Sequence, residues 1–231
     1  MTTFESSLSR AQRADAARPL VTFYDEATGE RAELSVTTYA NWVAKTANLI
    51  TGELDLGRGD RVRVDLPTHW LGAVWLGAVL VTGLEIVPEA AGADLVVCGP
   101  DGVEEYAGGA YAVVALSLRP LGARFAEPLP QGVLDFGVEV FGQPDVLFVS
   151  DPPAPGEAAF AGLSQEALLA DASAIGVGGT RVLTDRNPAT PEGAATLLGP
   201  LQHGGGVVYL VNAATDEVWT RRADQERATR V

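Results

Sequence analysis

Basic charge is scarce in this chain, and lysine is nearly absent: Lys45 is the one lysine beside fifteen arginines, against 30 aspartates and glutamates. Any mechanism that requires a lysine must therefore use Lys45. The formal net charge of -14 excludes two partner classes. Nucleic acid and anionic membrane surfaces are held by clustered Lys and Arg that release counterions, so no nucleic acid and no membrane partner is expected. One cysteine, Cys98, rules out an internal disulfide and leaves the fold to packing. With only His69 and His203 as imidazoles, a His/Cys metal site has too few ligands. Long apolar runs are lacking too. The longest, around Leu71 to Val81, is broken by glycines and is shorter than the roughly 20 residues that span a bilayer. Met1 to Ala17 lack the apolar stretch of a secretory signal, so a cytoplasmic protein is expected.

What is present is ordinary globular composition, 47% hydrophobic over 231 residues, enough for a sizeable core in a single domain spanning 1–231. Leu20 to Tyr24 and Arg31 to Leu34 alternate on either side of Gly29, the pattern of an antiparallel hairpin. Thr37 or Thr38 can cap a helix with Tyr39, Val43, Ala47 and Ile50 on one face, ending at Gly52 with Lys45 toward solvent. Arg61 to Leu66 alternates as a strand and stops at Pro67. The helix after it, Trp70 to Leu80, is apolar nearly all round and must be covered on most sides. Gly83 ends it. Short strands follow at Leu84 to Pro88, Asp94 to Cys98 and Tyr111 to Leu118.

From 119 to 145 the chain is rich in Pro and Gly, which predicts a long surface connection and a possible subdomain boundary. A strand over Val146 to Ser150, a proline-rich loop over Asp151 to Glu157 and a helix capped at Ser164 come next. Strand and helix then alternate through Arg181 to Thr184, Pro191 to Gln202 and Val207 to Asn212, and a charged terminal helix anchored by Trp219 closes the chain. This alternation predicts an α/β fold with mixed, mostly parallel sheets flanked by helices.

Leu56-Gly57-Arg58-Gly59-Asp60-Arg61-Val62, then Leu66-Pro67, then Gly77 to Pro88 form an ordered set. It resembles the N-terminal region of the adenylate-forming superfamily, which includes acyl-CoA synthetases, luciferases and peptide-synthetase adenylation domains. In that family a "G-D-R-V" strand, an "lP" turn, a buried helix and an "a-G-a-v-x-v-P" strand follow in this order. Further matches at Asp145 to Ser150, Leu163 to Leu169 and Leu198 to Val208 carry the resemblance over roughly Pro19 to Asn212, the first part of the family's large N-terminal domain. The fold implied is part of the N-terminal domain of acyl-CoA synthetases.

The resemblance also locates a loss. The family's phosphate loop, S-G-T-T-G-x-P-K-G, wraps ATP phosphates with backbone N–H groups and a lysine. Here the matching residues are Ser150-Asp151-Pro152-Pro153-Ala154-Pro155-Gly156-Glu157. Three prolines remove three donors, and Asp151 and Glu157 set negative charge where triphosphate would lie. No catalytic, cofactor-binding or metal residue of the family carries over, and no cofactor is expected. The expectation is an adenylate-forming-like domain that has lost adenylation and serves as a binding or interaction module. A homo-oligomer or protein partner would cover the face that the absent portion covers in the family. The alternative is an active acyl-CoA synthetase-like enzyme, or a small-molecule binder, acting with a separate chain.

Other motifs have plainer readings. His203-Gly204-Gly205-Gly206 resembles an esterase oxyanion loop, but no G-x-S-x-G accompanies it, so it reads as a helix stop. Gly176-Val177-Gly178-Gly179 reads as a turn. Cys98 reads as a small core residue. Asp15, Asp25, Glu26, Glu104 and Glu105 read as solvated charge. His69 is a conceivable base. Ser150 and Asp151, taken as the carboxyl end of a strand, mark the edge where open α/β sheets hold small molecules.

Overall fold

The structure is a computed structural model and describes residues 2–231. It opens with a helix that polar composition concealed, α1 (Phe4–Asp15). Thr3 Oγ1 accepts from the Ser6 amide while Ser6 Oγ accepts from the Thr3 amide, a reciprocal cap. Phe4, Leu8 and Ala11, at helical spacing, are buried. The expected hairpin follows as β1 (Pro19–Asp25) and β2 (Arg31–Ser35), paired antiparallel. Gly29 turns it at a φ of 77°, which costs glycine little. The next helix, α2 (Val36–Asn48), is capped by Ser35 rather than Thr37 or Thr38: Ser35 Oγ accepts the Thr38 amide at 3.1 Å. A wide turn over Leu49–Glu53 prolongs it. Lys45 is half-buried and donates to the Gln143 carbonyl, so it does not point freely to solvent.

Strand β3 (Arg61–Asp65) leads to α3 (Trp70–Thr82), every residue of which is buried, and Gly83 ends it in the left-handed conformation. Then come β4 (Glu85–Ile86), β5 (Leu95–Cys98), α4 (Val103–Tyr106) and β6 (Ala112–Ala115). The stretch 119–145 is more than a surface connection. It supplies β7 (Val133–Asp135), which pairs with β6, and α5 (Phe136–Glu139), whose Phe136 is 1% exposed. Val146 to Ser150 forms no strand. Asn48 holds it as an extended loop: its Nδ2 donates to the Pro144 and Val146 carbonyls and its Oδ1 accepts the Phe148 amide. With those backbone groups taken by a side chain, no ladder can form.

A small hairpin, β8 (Ala158–Phe160) and β9 (Leu163–Ser164), precedes α6 (Gln165–Ala172), which Ser164 caps as expected. The last third runs β10 (Arg181–Thr184), α7 (Pro191–His203), β11 (Val207–Val211), α8 (Asp216–Glu226) and β12 (Ala228–Arg230). Gly204 stops α7 at a φ of 84°, in keeping with the helix-stop reading of the His203 tetrapeptide.

Two sheets result. One has the order β12-β10-β11-β1-β2, the other β7-β6-β5-β3-β4-β8-β9, and all pairings are parallel except β1 with β2 and β8 with β9. Helix α3 touches β1 of the first sheet and β4 of the second. It is therefore a shared middle layer, which explains an apolar surface on all sides: Val74, Trp75 and Leu76 join Leu20 and Val21 of one sheet and Val62 and Leu95 of the other in one core. Each fully buried Leu or Val there contributes about 1.5–3 kcal/mol.

Candidate functional site

Two places bear on function, and they lie at opposite edges of the seven-stranded sheet. The first is the loop over 150–157. Because α3 runs back alongside β3, its end at Gly83 lies beside the approach to β3, where the Gly59 amide donates to the Gly83 carbonyl. Pro153 packs there too: a side chain at Gly83 would meet Pro153 Cβ at 3.1 Å and Arg58 Cα at 3.3 Å. Ser150 and Asp151 thus sit at the amino edge of the parallel strands and not at a strand's carboxyl end, because Val146 to Ser150 is no strand.

The charge of this loop is also not bare. Arg58 Nη1 donates to Asp151 Oδ1 at 2.9 Å and Arg58 Nη2 to Glu157 Oε1, and these hydrogen bonds, the Glu157 one foremost, raise the guanidinium pKa. One guanidinium offsets one of the two negative charges, and the arginine is spent on both carboxylates. Backbone donors are equally short. Pro152, Pro153 and Pro155 have none, the Ala154 amide goes to Glu157 Oε2 at 3.0 Å, and the Glu157 amide goes to the Ala154 carbonyl at 3.1 Å.

The second place is a cleft of about 770 Å³ at the carboxyl ends of parallel strands from both sheets. The turn at the end of β1 brings Asp25, Thr28 and Glu30, the turn after β3 brings Pro67, Thr68 and His69, the segment after β6 brings Leu118 and Pro120, and Asn212 follows directly on β11. Carboxyl ends of parallel strands are the usual ligand edge of α/β sheets. Leu118 holds a φ of 54° there, a strained conformation for a leucine.

His69 caps α3: its Nδ1 accepts the Leu71 amide at 3.2 Å, which leaves the proton on Nε2. The ring packs edge-on against Phe23 with centroids 4.7 Å apart. Burial pushes its pKa down to about 4, only partly opposed by the charge of Asp25, so the imidazole is neutral. Its Nε2 is buried and meets no partner. Glu30 Oε1 and Trp70 Nε1 are likewise buried and unmatched at hydrogen-bond distance. Burial raises the Glu30 carboxyl, the nearby Trp70 indole offsets part of that, and the Asp25 charge adds to it. An unmatched buried polar atom costs about 1–3 kcal/mol.

Asp25 is not simply solvated. Burial would raise its pKa, but hydrogen bonds from Asn212 Nδ2 at 2.7 Å, the Ala27 amide and the Thr28 hydroxyl outweigh this and leave it below the ordinary value. Glu26 is also held, by Arg222 at 2.6 Å and Arg221 at 3.1 Å, whereas Asp15, Glu104 and Glu105 are exposed as expected. His203 is far in role from His69: exposed at the end of α7, it bonds the Ser173 carbonyl at 2.7 Å. Cys98 is buried, and burial lifts its thiol to about 11, fitting a core residue. Sequence reading missed the convergence of Asp25, Glu30 and Asn212. The one available signal was the Asp25-x-x-Thr28-Gly29 turn at a strand end, which favours a carboxylate that bonds its own backbone.

Fold and edge geometry together define the class. The chain is similar to the acyl-CoA synthetase of Brucella canis, with a TM-score of 0.78 at 16% identity over 96% of this chain and 46% of that one. It is similar also to the acetoacetyl-CoA synthetase of Streptomyces lividans, with a TM-score of 0.78 at 17% identity over 98% of this chain and 41% of that one. The fold is like that of the N-terminal domain of these acyl-CoA synthetases, and the chain spans less than half the length of either one. No family model matches the chain. It is 38% identical, over 95% of its length and 93% of the relative's, to the TIGR03089 family protein of Mycobacterium tuberculosis (strain ATCC 25618 / H37Rv), and it belongs to that family. Among the described residues no helix is long and apolar enough to cross a membrane.

Proposed function

We propose that this chain is an acyl-CoA synthetase-like module that no longer forms adenylates and acts by binding. The observation that supports the reading is the state of the loop over 150–157. Three prolines lack N–H groups, two further amides or their partners are used inside the loop, and Arg58 is occupied by Asp151 and Glu157. A phosphate cradle works by presenting free backbone N–H groups and positive charge to the anion, and here the three prolines, the engaged Ala154 and Glu157 amides and the paired Arg58 leave little of either.

The test is pyrophosphate exchange by the purified chain with ATP, magnesium and a panel of carboxylic acids, beside thermal unfolding with millimolar ATP. Exchange at background and an unchanged Tm are expected, since a ligand that binds only the native state must raise Tm. Robust exchange with any acid overturns the reading.

The interaction part of the role rests on the surface. Leu121, Val138, Phe141, Val146 and Phe148 are large apolar side chains, each at least half exposed, within one stretch of chain. Large exposed apolar side chains are the material from which association surfaces are built. A second copy of the chain, or a protein partner, covers this stretch in the reading proposed here.

A further inference from the structure

The segment over 146–150 is extended chain without a ladder. Val146, Phe148 and Ser150 are exposed while Leu147 and Val149 between them are half-buried, the period-two pattern of a strand. One of its two edges is taken: Asn48 Nδ2 donates to the Val146 carbonyl at 2.8 Å, and Asn48 Oδ1 accepts the Phe148 amide at 3.1 Å. Backbone groups of successive residues in an extended chain point to opposite sides, so the amides and carbonyls of Leu147 and Val149 face away from Asn48. Among the described residues these four groups bond to no protein atom. An open strand edge is a template for another strand.

A trough accompanies this edge. Its two pockets share Glu5, Val81 and Leu147. The larger, about 370 Å³, is walled by Leu80, Val149, Pro152 and Pro153. The smaller, about 160 Å³, reaches Ser9, Asn41 and Asp145. Neither Val146 nor Phe148 lines either pocket, so trough and open edge belong to the same two residues, Leu147 and Val149. Charge separates the two pockets. Asp145 is exposed, Glu5 accepts only the Ser9 hydroxyl at 2.9 Å, and among the described residues neither carboxylate is in an ion pair. Lys45 is turned to the Gln143 carbonyl, and Arg58 is held by Asp151 and Glu157.

We propose that the trough binds an extended segment of a partner protein by strand addition to Leu147 and Val149, with an apolar side chain in the larger pocket and a lysine or arginine two residues away facing Glu5 and Asp145. Residues two apart in a strand share a face, as two adjacent pockets require. The proposal rests on the binding role given above and names the partner's chemistry. A second copy of the chain is the poorer occupant, because it brings a further net charge of -14 to an acidic rim.

The experiment titrates the 15N-labelled full chain with the capped peptide Thr-Lys-Thr-Leu-Thr-Lys-Thr, whose side chains read the same in both directions, and with its counterpart carrying glutamate for lysine. Saturable shifts and slowed hydrogen exchange at the Leu147 and Val149 amides are expected with the lysine peptide, and the glutamate peptide should bind about tenfold more weakly. Asp145→Lys, at an exposed position, should cut the lysine peptide's advantage. Val149→Pro removes one edge amide and should weaken the lysine peptide by about tenfold, with the dispersion of the remaining amide signals showing that the fold is kept. Four results would each overturn the proposal: no response at Leu147 and Val149 at millimolar peptide, equal binding of both peptides, an unchanged lysine preference in Asp145→Lys, or the two amides already protected without peptide in a particle of twice the chain mass, which puts a second copy on the edge. Pyrophosphate exchange, measured separately, would overturn the non-adenylating reading and leave the peptide result standing.

Discussion

His69 is a neutral imidazole that starts a helix, and this ties the fold to pH. In the unfolded chain its pKa is near the ordinary 6.5, and in the fold burial holds it near 4. A group whose pKa is depressed on folding contributes its full share above the unfolded value, and that share is lost as pH falls through the window between the two. Two and a half units correspond to about 3 kcal/mol at the low end. Unfolding by urea between pH 6.5 and 5, above the range where most carboxylates titrate, should show a midpoint that falls with pH. His69→Asn keeps an acceptor for the Leu71 amide and removes the titration, so its midpoint should stay nearly flat. A variant with the wild-type slope would show that another group carries it.

At the scale of elements, α3 is the member on which both sheets depend. Its glycines are sites of close approach: a Cβ on Gly77 would collide with Tyr39 Oη and lie 2.7 Å from Val43 Cγ2 of α2. Tyr39 cannot yield freely, because its hydroxyl donates to the Ala73 carbonyl at 2.9 Å and its ring is fully buried. Gly77→Ala should therefore destabilise by about 1–3 kcal/mol through overpacking, although alanine is the better helix former. Urea denaturation monitored by far-UV dichroism measures this. Equal or higher stability would mean that α2 and α3 separate more easily than their packing implies.

For the whole molecule, association is the open quantity. The exposed apolar side chains between Leu121 and Phe148 lie on the segment that also supplies β7 and α5, so they are attached to a sheet rather than to a free tail. Light scattering at micromolar concentration should give twice the chain mass, or capture of a partner should be needed to keep the chain monodisperse. A stable, monodisperse monomer by itself counts against the interaction role. Tail residues do not cover this face: Trp219 of α8 packs in a separate cluster with Tyr24, Leu183, Val208 and Leu210 and stacks with Arg230 at 4.2 Å.

The hairpin at Gly29, the all-buried α3 and the caps at Ser164, Gly83 and Gly204 could be read from the residues, because each rests on local periodicity or backbone preference, and the resemblance to synthetase N-terminal domains could be read from an ordered set of motifs; the strand expected over Val146 to Ser150 is the misreading, since the Asn48 side chain takes its backbone groups. α1, β7 and β12 could not, since they are short or polar and form only where packing or a neighbouring strand completes them. The same holds for charge: Asp151 and Glu157 read as bare carboxylates until Arg58, more than ninety residues earlier, is found between them. The cleft is the clearest case. Asp25 and Glu30 in one turn, His69 in a second and Asn212 in a third are far apart in sequence, and only the parallel alignment of two sheets about one helix carries those turns to a common edge.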